Sequence, residues 1–338
     1  MKLASLKTKK RDGELIIVSK DLKRYVSCKE IASTMQNALD NWTQVHKKLH
    51  NLYKMLNNDE VKSFPFDETS VHSPLPRAYQ WADASAYVNH VNLVRRARGA
   101  ELPESFWTDP LMYQGGSDDF IPPQSPILLP DETWGIDMEA EIAVITNDVP
   151  MGIKSSSAEE KILLIMLVND ISLRNLIPSE LSKGFGFFQS KPSTSFSPVA
   201  VTLDEIDNYW SNGKLSRIME VDLNDKPLGR ANASIDMTFN FPQLISHASK
   251  SRNLKAGTII GSGTISNRDK NGGPGLPIDE GGDGYSCLAE LRMVETIKFG
   301  KPKTPFMMFG DKVRIEMHDD NGQSIFGKIE QKLEKLII

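Results

Sequence analysis

Asp137-Met138-Glu139-Ala140-Glu141-Ile142-Ala143-Val144 sets two carboxylates one residue apart inside a run that is otherwise apolar and strand-like. On a strand, alternate side chains share a face. Glu139 and Glu141 are therefore expected to project together, while Met138, Ala140 and Ile142 pack on the opposite side. Two anions on a buried face repel each other and lose hydration, which is costly unless a cation joins them. Hard dications take oxygen ligands, so the pair reads as part of such a site. For an isolated Glu-x-Glu, a solvated edge strand would be the simpler reading. The rest of the chain weighs against it.

The next acidic residue in a structured context is Asp170. The segment from Ser157 to Asp170 reads as a helix, because Ser157 followed by Glu160 is a capping box. Ile162 to Val168 is too apolar for a surface helix, so Asp170 closes a buried element and leads into Ile171-Ser172-Leu173-Arg174. Upstream, Asp83 and His90 stand seven residues apart. Downstream come Lys191 with Ser195 four residues on, then Gly261-Ser262-Gly263-Thr264-Ile265-Ser266, then Glu290.

This ordered set resembles the fumarylacetoacetate hydrolase family. The family pattern runs aspartate, histidine seven residues later, D-M-E-x-E, N-D-x-S-x-R, a lysine with a hydroxyl residue four further on, G-T-I-S and a glutamate. All of these occur here in that order, from about residue 74 onward. The resemblance implies an α+β fold built on a large mixed β-sheet roll beside a smaller N-terminal domain. It implies a divalent metal, Mg²⁺ or Ca²⁺ with Mn²⁺ as an alternative, held by Asp83, Glu139, Glu141 and Asp170. His90 would be the general base oriented by Glu290, with Lys191 and Arg174 at the reacting carbonyl. Ser195 would lie near the metal framework, and Tyr113 and Thr264 against the substrate. The implied activity is hydrolysis of a carbon–carbon bond in a small keto acid by a homodimer, as in the fumarylacetoacetase step of tyrosine and aromatic catabolism. Acylpyruvate hydrolase, 2-oxopent-4-enoate hydratase and oxaloacetate decarboxylase share the scaffold. A metal-stabilised binding protein without turnover is the reading from another class.

The residue types support much of this by themselves. One dication cancels only part of the charge on several carboxylates, so nearby cations are expected, and Lys191 and Arg174 can supply them. A histidine is the side chain suited to taking a proton from water near neutral pH. A glutamate behind it selects the tautomer and stabilises the imidazolium. A separate metal-free role for His90 would be an ordinary hydrogen-bonded surface histidine, and for Lys191 a solvated lysine.

Departures from the family pattern bear on the substrate. Polar or aromatic positions that contact substrate in the fumarylacetoacetases read Asn175, Ile177 and Leu181 here, and a tyrosine expected two residues after the first aspartate is Ser85. Loss of buried hydrogen-bonding contacts changes discrimination strongly. Arg95, Arg96 and Arg98 follow His90 and either reach the substrate or form a solvated basic turn.

The chain has 338 residues, enough for a large domain with a smaller one beside it. The division is expected at residues 1–72 and 73–338, with Ser73-Pro74-Leu75-Pro76 as the linker. A net charge of −4 leaves no basic excess for nucleic acid. No apolar run is long enough for a membrane span, and no signal-peptide core opens the chain; a cytoplasmic location is expected. Two cysteines, Cys28 and Cys287, make no disulfide framework or Cys-rich metal site, and Cys287 reads as a small buried residue.

Leu15 to Val18 reads as a strand after the turn Asp12-Gly13. Ile31, Met35, Ala38, Trp42, Val45, Leu49, Leu52 and Leu56 form one continuous helical stripe. It serves either as an assembly seam or as the cover of its own sheet. Residues 126–130, 141–146, 199–203, 218–223 and 312–317 read as strands, with Asn224-Asp225 as a hairpin turn. A helix is expected from Phe241 through Asn253. The glycines between Thr264 and Tyr285 mark a mobile loop that lacks the context of a phosphate cradle.

Overall fold

The computed structural model describes residues 1–96 and 101–337. Its helices are α1 (Met35–Asp40), α2 (Trp42–Asn57), α3 (Val88–Arg96), α4 (Ser155–Ala158), α5 (Ile177–Leu181), α6 (Phe241–Ala248) and α7 (Leu288–Phe299). They pack around an 11-stranded mixed sheet and a 5-stranded sheet, the α+β architecture expected.

Ile162–Asn169 lies at the centre of the large sheet, antiparallel to Ala140–Thr146. The expected helix over 157–170 is therefore wrong beyond α4 and the short 3₁₀ turn Glu159–Lys161. A strand buried on both faces shows no polar alternation and is hard to tell from a buried helix by pattern. Here Ile165 and Leu167 enter one core with Val221 and Ile315. Leu164, Met166 and Val168 enter the other with Leu39, Leu49 and Leu56.

That second core also corrects the single long helix expected at residues 31–56. Ile31 lies in a turn, the Thr34 hydroxyl caps α1, and the chain breaks at Asn41 before α2 begins. Val45, Leu49, Tyr53 and Leu56 of α2 are buried against Leu3, Leu15 and Ile17 of the chain's own sheet. The apolar stripe is thus covered within the chain and is not an open seam. The first strands extend the same large sheet, Lys2–Leu6 pairing with Ala200–Val201.

Ile218–Leu223 and Lys226–Asn232 form the expected hairpin, with Asn224 and Asp225 at φ 53° and 59°. α6 stops at Ala248 instead of running to Asn253, since Ser249 already caps it.

Candidate active site

The acidic cluster forms where one apolar face of the large sheet runs out. Trp81, Ala143, Val168 and Ile259 lie in the same core. Two residues along the chain from the first three, in the strand alternation, stand Asp83, Glu141 and Asp170. Register reinforces this: Gly261 lies between Asp83 and Ala143, and Glu141 opposite Val168. The step from Ile259 leads to Gly261, where a Cβ would stand 2.2 Å from Asp83 Oδ1. Only glycine leaves room for that carboxylate. Gly263, at φ 73°, then donates its N–H to Asp83 Oδ1 at 3.0 Å.

Oxygens of Asp83, Glu141 and Asp170 lie within 4.8 Å of one another, all three side chains buried. Both Glu141 carboxylate oxygens are buried with no hydrogen-bond partner among the described residues. Burial first, then the charges of its neighbours Asp83 and Asp170, pushes the Glu141 carboxyl well above its ordinary range. Asp83 is raised too, by burial and by Asp170. A buried, orphaned carboxyl facing two others is relieved either by keeping its proton or by a hard cation shared among the three. The donors are all oxygen, which suits Mg²⁺, Mn²⁺ or Ca²⁺.

Glu139 lies beside this trio and is differently engaged. It accepts from Arg174 Nη2 at 2.7 Å, Lys191 Nζ at 2.5 Å and Ser172 Oγ at 3.1 Å. Burial works to raise its carboxyl, but Arg174 and Lys191 overcome that and hold it far below the usual range. Lys191 also donates to Asp170 Oδ2 at 2.6 Å. Despite burial, Asp170 and Glu139 keep its ammonium protonated well past the ordinary lysine value. Tyr113, opposite Asp83 in register, donates its hydroxyl to Asp170 Oδ2 at 2.5 Å. Phe187 packs edge-on against the Tyr113 ring.

His90 and Glu290 are 200 residues apart in the chain, yet His90 Nδ1 stands 2.9 Å from Glu290 Oε1. α3 brings the histidine and α7 the glutamate, joined by a small core of Leu93, Tyr285 and Val294. Glu290 is 2% exposed. His90 Nε2 lies 3.9 Å from Glu139 Oε1, at the edge of the acidic cluster.

Of the other residues singled out in the sequence, Thr264 is buried beside Gly263. Ser195 is buried and its hydroxyl has no hydrogen-bond partner among the described residues, while its neighbour Thr194 donates to Asp170 Oδ1 at 2.8 Å. Leu181 is about half exposed on α5. Asn175 donates to the Thr133 carbonyl. Arg95 stacks on Phe106 and donates to the Glu101 carbonyl, and Arg96 is exposed; Arg98 lies outside the described residues.

Ser172, Gly261 and Asp137 fall within the motifs read from the sequence but are given no role there, and Thr194 is given none either; Asp137 matters most. Asp137 is fully buried, accepts from Arg174 Nε at 2.9 Å, and caps α7 by accepting from Leu288 N and Ala289 N. Its position two residues before Glu139, with an arginine at 174, was the available signal.

The family described as Fumarylacetoacetate (FAA) hydrolase C-terminal matches residues 80–334, and Fumarylacetoacetase N-terminal domain 2 matches residues 1–77. The chain belongs to the fumarylacetoacetate hydrolase family. The mitochondrial oxaloacetate tautomerase of Homo sapiens is 27% identical over 232 residues, covering 68% of this chain and 97% of that one. The oxaloacetate tautomerase of Bacillus subtilis is 26% identical over 214 residues, covering 62% of this chain and 67% of that one. Maleylpyruvate hydrolase from Sphingobium shares the fold at a TM-score of 0.64 and 15% identity, covering 99% of this chain and 100% of that one; it has also been solved with manganese(II) and pyruvate. Among the described residues, no helix is long and apolar enough to cross a membrane.

Proposed function

We propose that this chain is a divalent-metal-dependent hydrolase that cleaves a carbon–carbon bond in a 1,3-dicarbonyl acid of the fumarylacetoacetate or acylpyruvate type. The observation that carries the reading is the His90–Glu290 pair at 2.9 Å on the rim of the carboxylate cluster. A binding-only or structural metal needs no such pair.

Asp83, Glu141 and Asp170, with Glu139 beside them, are the residues that would hold the cation. When bound, it supplies Lewis acidity and positive charge for the enolate leaving group. His90 Nδ1–H donates to Glu290, which leaves the Nε2 lone pair free to take a proton from water. The water oxygen bonds to the carbonyl carbon, and the C–C bond to the neighbouring carbon breaks with its electron pair leaving on that fragment. The proton held on His90 Nε2 is then available to that fragment. Lys191 and Arg174 face the developing negative charge, where loss of one donor typically costs ~10²–10³ in rate. Tyr113, held on Asp170 and packed against Phe187, would stand beside the bound substrate.

A tautomerase acting on oxaloacetate is the second reading, favoured by the two relatives so named. Purified protein with Mg²⁺ or Mn²⁺ is assayed against fumarylacetoacetate, acylpyruvates and oxaloacetate. Release of two acid products from a dicarbonyl substrate supports the hydrolase; enol–keto exchange of oxaloacetate without cleavage of any dicarbonyl substrate overturns it. A homodimer is part of the proposal: Leu181, Phe185 and Phe188 expose an apolar surface that a second copy would cover, and light scattering tests it.

A further inference from the structure

The carboxylate cluster is not the only place where metal-ligating atoms converge. A nitrogen of His90, the Cys287 sulfur and a Glu290 oxygen also lie within 4.8 Å of one another. We propose that His90, Cys287 and Glu290 form a second cation site, selective for a thiophilic dication such as Zn²⁺, whose occupation switches the enzyme off.

Three features carry this. Cys287 is the residue just before α7 and Glu290 is three positions on, so one helical turn presents sulfur and carboxylate on the same side. His90 completes the set from α3 and is the partly exposed member of the three, which gives an approach from the active-site side. Nitrogen, sulfur and oxygen together form a donor set for zinc, unlike the all-oxygen cluster nearby. Ligand atoms around zinc stand roughly 3–4 Å apart, given bonds of about 2.0–2.3 Å, so the three groups need only small movements.

The surrounding charge favours a second cation. Asp83, Glu139, Glu141, Asp170, Asp137 and Glu290 are all buried, and the fixed cations bonded among them are Arg174 and Lys191. One dication leaves the region anionic. Without metal, burial and then Asp137 and Glu290 push the Cys287 thiol well above its ordinary range, so it is inert; a coordinated thiol is deprotonated outright.

The inhibition follows from the tautomer, and this part rests on the reading of His90 as the base. At rest, Nδ1 carries the imidazole proton toward Glu290. When Nδ1 bonds the metal, that proton sits on Nε2, the atom that must accept from water. The S–H bond breaks as the S–metal bond forms, and one proton leaves to solvent. No electron is transferred.

Co²⁺ added to Mg²⁺-saturated protein is the probe, because cobalt on carboxylates gives no thiolate-to-metal charge-transfer band in the near ultraviolet. The band is expected in the wild type and in Cys28→Ser, to vanish in Cys287→Ser and Cys287→Ala, and to be displaced by Zn²⁺. Each variant's turnover is then followed against Zn²⁺ relative to its own zinc-free rate. Zinc is expected to need at least about tenfold higher concentration to inhibit the Cys287 variants. No band in the wild type, or a band that survives both Cys287 substitutions, overturns the site. A normal band with turnover indifferent to Zn²⁺ overturns the switch, whereas the assignment of His90 as base fails separately if His90→Ala keeps its turnover.

Discussion

Glu141 makes the sharpest individual prediction, because its two consequences have opposite signs. Without metal it is a buried carboxyl with no partner among the described residues, so Glu141→Gln is expected to raise the melting temperature in chelator. With metal the same change removes a ligand, and the stabilisation by excess Mg²⁺, ~2.7 kcal/mol at a hundredfold excess over Kd, shrinks. Calorimetry in EDTA and in Mg²⁺ reads both; a variant less stable than the wild type in EDTA refutes the account. For the base, His90→Ala is expected to lower kcat by ~10²–10⁴, and Glu290→Gln in the same direction, with Mn²⁺ affinity by titration nearly unchanged. Asp137 touches no reacting atom but ties Arg174 to the first turn of the helix that bears Glu290. Asp137→Asn should therefore cost about 10–100-fold in kcat. Combined with Arg174→Ala, it should cost less than the product of the separate losses.

The segment from α5 to Lys191 depends on one anchor. The Glu180 carboxylate accepts from the backbone N–H groups of Phe188, Gln189 and Ser190 and from the Ser190 hydroxyl. This shapes the loop that sets Phe187 on Tyr113. Burial opposes ionisation, but the Ser190 hydroxyl and those amides outweigh it and hold the carboxyl down to about 2 from 4.5. A carboxyl whose folded value is depressed binds fewer protons folded than unfolded across that window. Its stabilisation is present above 4.5 and is lost as pH falls through about 2. The difference in melting temperature between the wild type and Glu180→Gln should narrow over that interval. At neutral pH the variant should lose catalytic efficiency with unchanged metal affinity. A pH-independent difference would show that the carboxylate charge is not what holds the loop.

The two cores lie on opposite faces of one sheet, and the N-terminal residues close the second. Removing residues 1–72 takes away α1, α2 and four strands, and uncovers Leu164, Met166 and Val168. Each Å² of apolar cover removed costs about 25 cal/mol, against a domain's net stability of only ~5–15 kcal/mol. A chain beginning at Ser73 is therefore expected to be aggregated or unfolded, as read by circular dichroism and light scattering. A folded, active fragment would overturn this view of the architecture.

What could be read from the chain was what depends on neighbours in sequence. The strand at 218–223, its Asn224-Asp225 turn and the start of α6 follow from alternation, turn chemistry and capping, which act over a few residues. The types and order of the acidic, basic and histidine side chains were equally legible, and with them the family. The central strand was misread because both of its faces are buried, which erases the polar alternation that identifies a strand. The break at Asn41 was invisible to a stripe that keeps its apolar spacing across two helices. The division of labour among the carboxylates, with Glu139 held by Lys191 and Arg174 and Glu141 left unpaired, arises from cross-strand register. The meeting of His90 with Glu290 arises from the packing of α3 on α7. Both depend on contacts between residues far apart in the chain, and local sequence carries no information about those distances.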